Sequence, residues 1–177
     1  MTPSLYAVLT AARAQLASAG IASPDADAVE LASFVLGVPT SEVRRRMVLR
    51  DPIDDAATSR LADLIAERSA RIPLQHLTGR AYFRGLTLAV GPGVFVPRPE
   101  TEVVTGLALE AAREAVAAGI REPVVVDLCT GSGAIALAIK DELPAARILA
   151  VEKSEHAYAW AQRNRELLGL DVELNQS

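Results

Sequence analysis

The chain has 177 residues, of which 50% are hydrophobic and only 4% aromatic, and its formal net charge is -4. This length suits one ordinary domain or two small ones and is enough to bury a core. A single cysteine excludes a disulfide framework and fits a reducing, cytosolic compartment. The slight acidity argues against a general nucleic-acid-binding protein. No apolar run approaches the ~20 residues that cross a bilayer.

Residues 1–72 have the pattern of a small helical bundle of about four helices. Apolar side chains recur at helical spacing, which predicts one buried stripe on each helix. The Ser-Pro pair at residues 23–24 is typical of a helix start, and Gly37 is typical of a helix end. One of the aspartates at positions 54–55 begins the last helix.

Residues 73–97 change in character, because glycines separate short segments of β-forming residues. Three such segments occupy residues 81–83, 86–90 and 94–96. We therefore expect a β-hairpin in this region that links two domains.

Residues 98–177 alternate between helical and strand patterns. Helices are predicted at residues 103–118, 134–143 and 155–168, and strands at residues 124–126, 148–151 and from 172 onward. The three valines at 124–126 are typical of a parallel strand that is buried on both faces. This order of elements predicts an α/β fold, the first half of a doubly wound sheet.

A glycine-containing loop follows the first of these strands. The strand ends at Asp127, and the loop runs through Gly131 and Gly133 directly into a helix. Glu152 ends the next strand, nineteen residues after Gly133. A carboxylate at that position can accept hydrogen bonds from both hydroxyls of a ribose. The pattern therefore indicates a site for a nucleoside cofactor.

Two cofactors are compatible with this loop. Residues 131–136 fit the dinucleotide fingerprint G-x-G-x-x-[GA]. Asp127 favours S-adenosylmethionine (SAM) instead, because an extra carboxylate disfavours an anionic pyrophosphate but favours a sulfonium and an amino group. A third interpretation stays open, in which Asp127 and Glu152 are surface acids and the glycines only turn the chain.

Several further motifs resemble one family. They lie at residues 71–79 (Arg-Ile-Pro-Leu-Gln-His-Leu-Thr-Gly), 83–86 (Phe-Arg-Gly-Leu), 96–102 (Val-Pro-Arg-Pro-Glu-Thr-Glu), 127–133, 152–154 and 161–164. With them the chain resembles the bacterial PrmC/HemK methyltransferases along essentially its whole length. That family methylates a glutamine side-chain amide on peptide-chain release factors, the proteins of translation termination.

The resemblance implies a fold, a cofactor and a partner. Residues 1–72 would form a helical domain that recognises the release factor, residues 73–97 a β-hairpin linker, and residues 98–177 the first part of a Rossmann-like SAM-dependent methyltransferase domain. It implies a cytoplasmic enzyme without a membrane segment or direct nucleic-acid contact. The family's SAM-binding loop corresponds to Cys129, Thr130, Gly131, Ser132 and Gly133, and its ribose-binding acid to Glu152.

The sequence departs from the family pattern at three of these positions. His76 stands where the family usually has a tyrosine, and we interpret it as a packing residue. Cys129 replaces the first glycine of the loop, and its backbone is strained if φ there is positive. Glu152 replaces a more common aspartate and keeps the carboxylate acceptor.

The family's catalytic motif, Asn-Pro-Pro-Tyr, does not occur in these 177 residues. We therefore assign no catalytic residue, and we interpret the chain as the N-terminal part of a methyltransferase that by itself has little activity and weak SAM affinity. Two alternatives remain, a fragment of an NAD(P)-dependent oxidoreductase and a non-catalytic protein-binding module. The arginines at residues 44–46 are interpreted first as a solvated helix face.

Overall fold

The computed structural model describes residues 2–177. The described residues divide into two compact units, residues 2–78 and 79–177. The first unit is helical, with α1 at Leu5–Ser18, α2 at Pro24–Leu36, α3 at Thr40–Val48, α4 at Asp55–Ser69 and α5 at Leu74–Thr78. None of the helices in residues 2–177 combines the length and the apolarity that a membrane span requires.

Local capping explains where the helices of the first unit begin and end. The Ser4 and Asp54 side chains accept hydrogen bonds from backbone N–H groups in the first turns of α1 and α4. Gly37 ends α2 at φ +64, a conformation that glycine adopts without steric cost. The apolar stripes meet in one core, whose largest fully buried members include Leu5, Leu9, Leu16, Leu31, Leu61 and Ile65.

The short helix α5 was not expected, because the sequence pattern of residues 73–97 indicates strands and turns. Pro73 precedes it, and its carbonyl accepts hydrogen bonds from the N–H groups of His76 and Leu77. Proline suits a helix start because its missing N–H is not needed there. Leu74 and Leu77 pack against the helical core, so tertiary burial stabilises a segment whose local pattern was ambiguous.

The second unit contains a two-stranded hairpin and a three-stranded sheet. Its elements are β1 at Arg80–Phe83, β2 at Leu86–Ala89, α6 at Pro99–Ala117, β3 at Val124–Leu128, α7 at Ala134–Glu142, β4 at Arg147–Glu152, α8 at Glu155–Leu168 and β5 at Glu173–Gln176. Strands β3, β4 and β5 are parallel and lie in that order. The predicted α/β fold, a helical bundle followed by part of a Rossmann-like sheet, is confirmed.

The hairpin differs from the expectation in one segment. Strands β1 and β2 pair antiparallel across a two-residue turn, in which Arg84 and Gly85 both have positive φ. The apolar residues 94–96, expected as a third strand, have no regular structure. They pair with no strand among the described residues, and an apolar run without a pairing partner gains none of the hydrogen bonds of a sheet.

Strand β3 was expected to be buried on both faces but is covered on only one. Val125 and Asp127 lie on the face that α7 and α8 cover, beside Ile148 of β4. On the other face Val124, Val126 and Leu128 remain 60%, 55% and 69% exposed. The reason is topological, since two successive right-handed crossovers in the same direction place both helices on the same side of the sheet.

Candidate functional site

The sheet brings the loop at residues 129–133 and Glu152 together, although they are well separated in the sequence. Parallel pairing places the carboxyl ends of β3 and β4 next to each other. The N–H of Thr130 donates to the carbonyl of Val151 over 3.0 Å, and the N–H of Gly131 donates to Oε2 of Glu152 over 2.8 Å. All six residues predicted for the cofactor site are therefore part of one loop-and-strand arrangement.

Three alternate residues of the loop have backbone conformations in the left-handed region. Cys129 has φ +62, Gly131 has φ +60 and Gly133 has φ +82. A Cβ at Gly133 would lie 2.9 Å from Cδ1 of Leu137, so a side chain there would require that leucine to shift. Cys129 adopts the same backbone region with a side chain, so the strain anticipated for a positive φ applies. Its thiol is exposed.

Asp127 holds the loop to the start of α7. Its Oδ2 accepts hydrogen bonds from the Thr130 hydroxyl at 2.6 Å and from the Ala136 N–H at 3.2 Å. Burial raises the pKa of the Asp127 carboxyl, the two hydrogen bonds oppose that rise, and the nearby Glu152 adds to it. The Ala136 N–H is one of the amides at a helix start that have no partner within the helix. Asp127 therefore satisfies one of the free amides at the start of α7.

Glu152 is 8% exposed and is held almost entirely by backbone amides. Its Oε1 accepts from the N–H groups of Lys153 and Ser154, each at 2.9 Å, while Oε2 accepts from Gly131. A carboxylate accepts about four hydrogen bonds, so this geometry leaves Oε2 able to accept one more. The remaining position suits a ligand hydroxyl, which fits one hydroxyl of a ribose.

Sequence reasoning missed one residue that contacts the loop. Asn164 of α8 donates a hydrogen bond from Nδ2 to the carbonyl of Ser132 over 2.9 Å. In the sequence it stands only at the end of the 161–164 motif that resembles the family. The sequence offers one signal for this role, since Asn164 is an asparagine at a position where the helix pattern predicts an apolar residue.

The arginine cluster of the first unit consists of ion-paired side chains. Arg44 lies 3.7 Å from Asp25 and Arg46 lies 3.7 Å from Asp51, while Arg45 lies 2.7 Å from an acid in its own helix, Glu42. Asp25 also pairs with Arg13 at 2.7 Å, and the Arg44 and Arg45 side chains remain 57% and 59% exposed. His76 lies in α5.

The fold and the loop together define a class. A parallel sheet with a glycine loop after one strand and an acid at the end of the next is a Rossmann-like nucleoside-cofactor domain. Residues 85–177 match the family described as "Methyltransferase small domain", and the chain belongs to that family. Residues 7–79 match the "PrmC N-terminal domain", which confirms the predicted resemblance.

Close relatives agree with both matches. A release factor glutamine methyltransferase of Streptomyces coelicolor is 52% identical over 172 residues, which cover 97% of this chain and 57% of the relative. A release factor glutamine methyltransferase of Mycolicibacterium smegmatis is 45% identical over 173 residues, covering 95% of this chain and 58% of the relative. The chain thus spans just over half the length of these curated relatives.

Proposed function

We propose that this chain is the SAM-binding and substrate-recognition part of a release factor glutamine methyltransferase. The relatives at 52% and 45% identity support the activity class. In this proposal residues 129–133 and Glu152 hold the nucleoside and methionine parts of SAM. Residues 1–72 recognise the release factor, and residues 73–97 link that region to the cofactor domain.

The contact between Asp127 and Ala136 carries the choice of cofactor. In dinucleotide-binding domains the first amides of this helix bind the pyrophosphate. Here the Asp127 carboxyl accepts from the N–H of Ala136 in the first turn of that helix, so it places an acceptor beside the helix start where a pyrophosphate would be repelled. SAM has no phosphate and carries positive charge, so it loses nothing at this position. This contact disfavours the NAD(P)-dependent oxidoreductase.

The reaction would move a methyl group from the sulfonium sulfur of SAM to the amide nitrogen of a glutamine, which loses a proton, leaving S-adenosylhomocysteine. The part of this chain is to bind and orient, because orientation of a poor nucleophile is itself a large catalytic effect. Since Asn-Pro-Pro-Tyr is not among these residues, we assign them no catalytic group. A cytoplasmic location and the absence of direct nucleic-acid contact belong to the same proposal.

Calorimetry with SAM, S-adenosylhomocysteine and NAD tests which cofactor the chain binds. We expect SAM and S-adenosylhomocysteine to bind and NAD to give no signal. Glu152→Ala should weaken S-adenosylhomocysteine binding at least tenfold, because the variant loses both the ribose acceptor and the partner of the Gly131 N–H. Glu173→Ala, an exposed acid in the same sheet, is the matched control and should bind as the wild type does. NAD binding without SAM binding would contradict the proposal.

A second experiment tests the partner. We expect the purified chain to bind a release factor of its own organism and to show little methyl transfer by itself. Turnover comparable to that of a full-length relative would contradict the assignment of no catalytic group to these residues. Release-factor binding without any cofactor binding would favour the non-catalytic binding module.

A further inference from the structure

One face of α8 carries a row of side chains that contact the chain leaving the hairpin. His156, Trp160 and Asn164 are four residues apart and so share a face of the helix. The indole Nε1 of Trp160 donates to the carbonyl of Pro92 over 3.1 Å. This row continues to Asn164, which contacts the end of β2.

Two glycines allow that segment to lie directly on the helix. A Cβ at Gly91 would fall 2.6 Å from a ring carbon of Trp160, and a Cβ at Gly93 would fall 2.7 Å from Cβ of His156. Neither distance is compatible with a real side chain. The backbone of residues 89–93 is therefore fixed against α8 at close range.

Asn164 is the most buried member of the row, at 1% exposure, and its amide makes three hydrogen bonds. Oδ1 accepts from the N–H of Ala89 at 2.7 Å, and Nδ2 donates to the carbonyl of Ala89 at 3.0 Å. The other Nδ2 hydrogen is donated to the carbonyl of Ser132 over 2.9 Å. One side chain thus joins the hairpin, the glycine loop and α8.

The Ser132 contact matters because the loop has few other anchors. Its neighbours on either side, Gly131 and Gly133, have left-handed backbones, which glycine leaves cheaply for other conformations. Asp127 fixes the loop through Thr130, and Glu152 fixes it through Gly131. Asn164 supplies the anchor at the middle residue, between the two glycines.

We propose that Asn164 is a positioning residue that holds the glycine loop in its cofactor-binding conformation and couples it to residues 89–93. The cofactor part of this inference rests on the proposed function. The positioning part rests only on the three hydrogen bonds of Asn164. An experiment without cofactor therefore tests it separately.

Hydrogen exchange followed by NMR on the whole chain provides that experiment. In Asn164→Ala the carbonyl of Ser132 loses its hydrogen-bond donor. We therefore expect the loop to loosen and the amides of Gly131 and Gly133, on either side of Ser132, to exchange about tenfold faster or more. Amides in the centre of β4 should keep their wild-type rates. Asn175→Ala, the same substitution at an exposed position of β5, is the matched control. It should change the exchange rates of neither the loop amides nor the β4 amides.

Asn164→Leu is a second variant, which keeps a side chain of similar size but removes all three hydrogen bonds. We expect the Ala89 amide and the loop amides to exchange as fast as in Asn164→Ala, while the amides of β4 stay protected. General destabilisation would instead speed all these amides and those of β4 together, and that result would overturn the inference. Unchanged loop exchange in both variants would also overturn it.

Calorimetry with S-adenosylhomocysteine tests the coupling to the cofactor. We expect both Asn164 variants to bind about tenfold or more weakly and Asn175→Ala to bind normally. Wild-type affinity in variants with a loosened loop would overturn the role in cofactor binding. If the wild-type chain binds neither SAM nor S-adenosylhomocysteine, the proposed function fails instead, and the exchange experiment still decides whether Asn164 positions the loop.

Discussion

Cys129 shows how one residue can carry local strain inside a binding loop. Its φ of +62 lies in the left-handed region, where a Cβ approaches the following carbonyl oxygen. We predict that Cys129→Gly is more stable than Cys129→Ala by about 1 kcal/mol, because only glycine relieves this contact. Urea unfolding of the two variants measures the difference. An alanine variant as stable as the glycine variant would refute the strain.

Asp127 should make stability depend on pH in a defined direction. Burial raises the pKa of its carboxyl, against the hydrogen bonds from Thr130 and Ala136. The folded state then binds the proton more tightly than the unfolded chain, so ionisation of Asp127 lowers the free energy of unfolding as pH rises above about 4. The loss is complete once pH passes the folded-state pKa.

Asp127→Asn removes this titration while keeping an oxygen acceptor for the loop. We predict that the free energy of unfolding of the variant, minus that of the wild type, increases as pH rises from about 4 toward neutrality. Urea titrations across that interval measure it. A difference that is constant or falls with pH would show that the folded-state pKa is not raised.

At the scale of elements, Arg84 connects the hairpin turn to two helices. Its guanidinium forms two hydrogen bonds to the Glu142 carboxylate, at 2.6 and 3.0 Å, and a third to the Glu102 carbonyl at 3.0 Å. Glu142 holds the pKa of Arg84 above its usual value, chiefly through these hydrogen bonds. Two positions distant in sequence, in α6 and α7, are thereby fixed to one turn.

We predict that Arg84→Ala lowers the free energy of unfolding by about 1 to 2 kcal/mol, since the partly buried Glu142 loses its two short hydrogen bonds and keeps only Arg113, at 3.6 Å. Arg147→Ala is the matched control, because that arginine pairs with Glu173 where both side chains are about half exposed. The control should leave the urea midpoint nearly unchanged. Equal effects of the two substitutions would argue against a structural role for the Arg84 network.

At the scale of the whole chain, the open face of the sheet is the main departure from an ordinary α/β domain. Val124, Val126 and Leu128 project from β3 on the side that no helix of the second unit covers. An apolar strand with one exposed face contributes only its covered half to the core. Substitutions on the two sides should therefore differ sharply.

A pair of identical substitutions compares this open face with the buried core, to which Val172, just before β5, belongs. Val126→Thr should change the free energy of unfolding by less than about 0.5 kcal/mol, because the hydroxyl stays in water. Val172→Thr should cost about 1 to 3 kcal/mol, because Val172 is 4% exposed and its hydroxyl would be buried. A large cost at Val126 would mean that this face is covered in solution.

Much of the fold could be predicted from local sequence. Helix α8 was expected at residues 155–168 with Gly169 after it, and the structure has Glu155–Leu168 with Gly169 at φ +64. Helix spacing, capping and glycine ends depend on residues a few positions apart, so the sequence displays them directly. The pairing of a glycine loop with a strand-end acid was predictable for a similar reason, because parallel strands end at the same edge.

Other features depend on contacts between residues far apart in the chain. The exposure of Val126 follows from which side the helices pack, and α5 forms because Leu74 and Leu77 find an existing core. Asn164 bonds to Ala89, 75 positions earlier, and to Ser132, 32 positions earlier. No local pattern encodes such a partner, since a buried amide is satisfied only by the groups that folding brings to it.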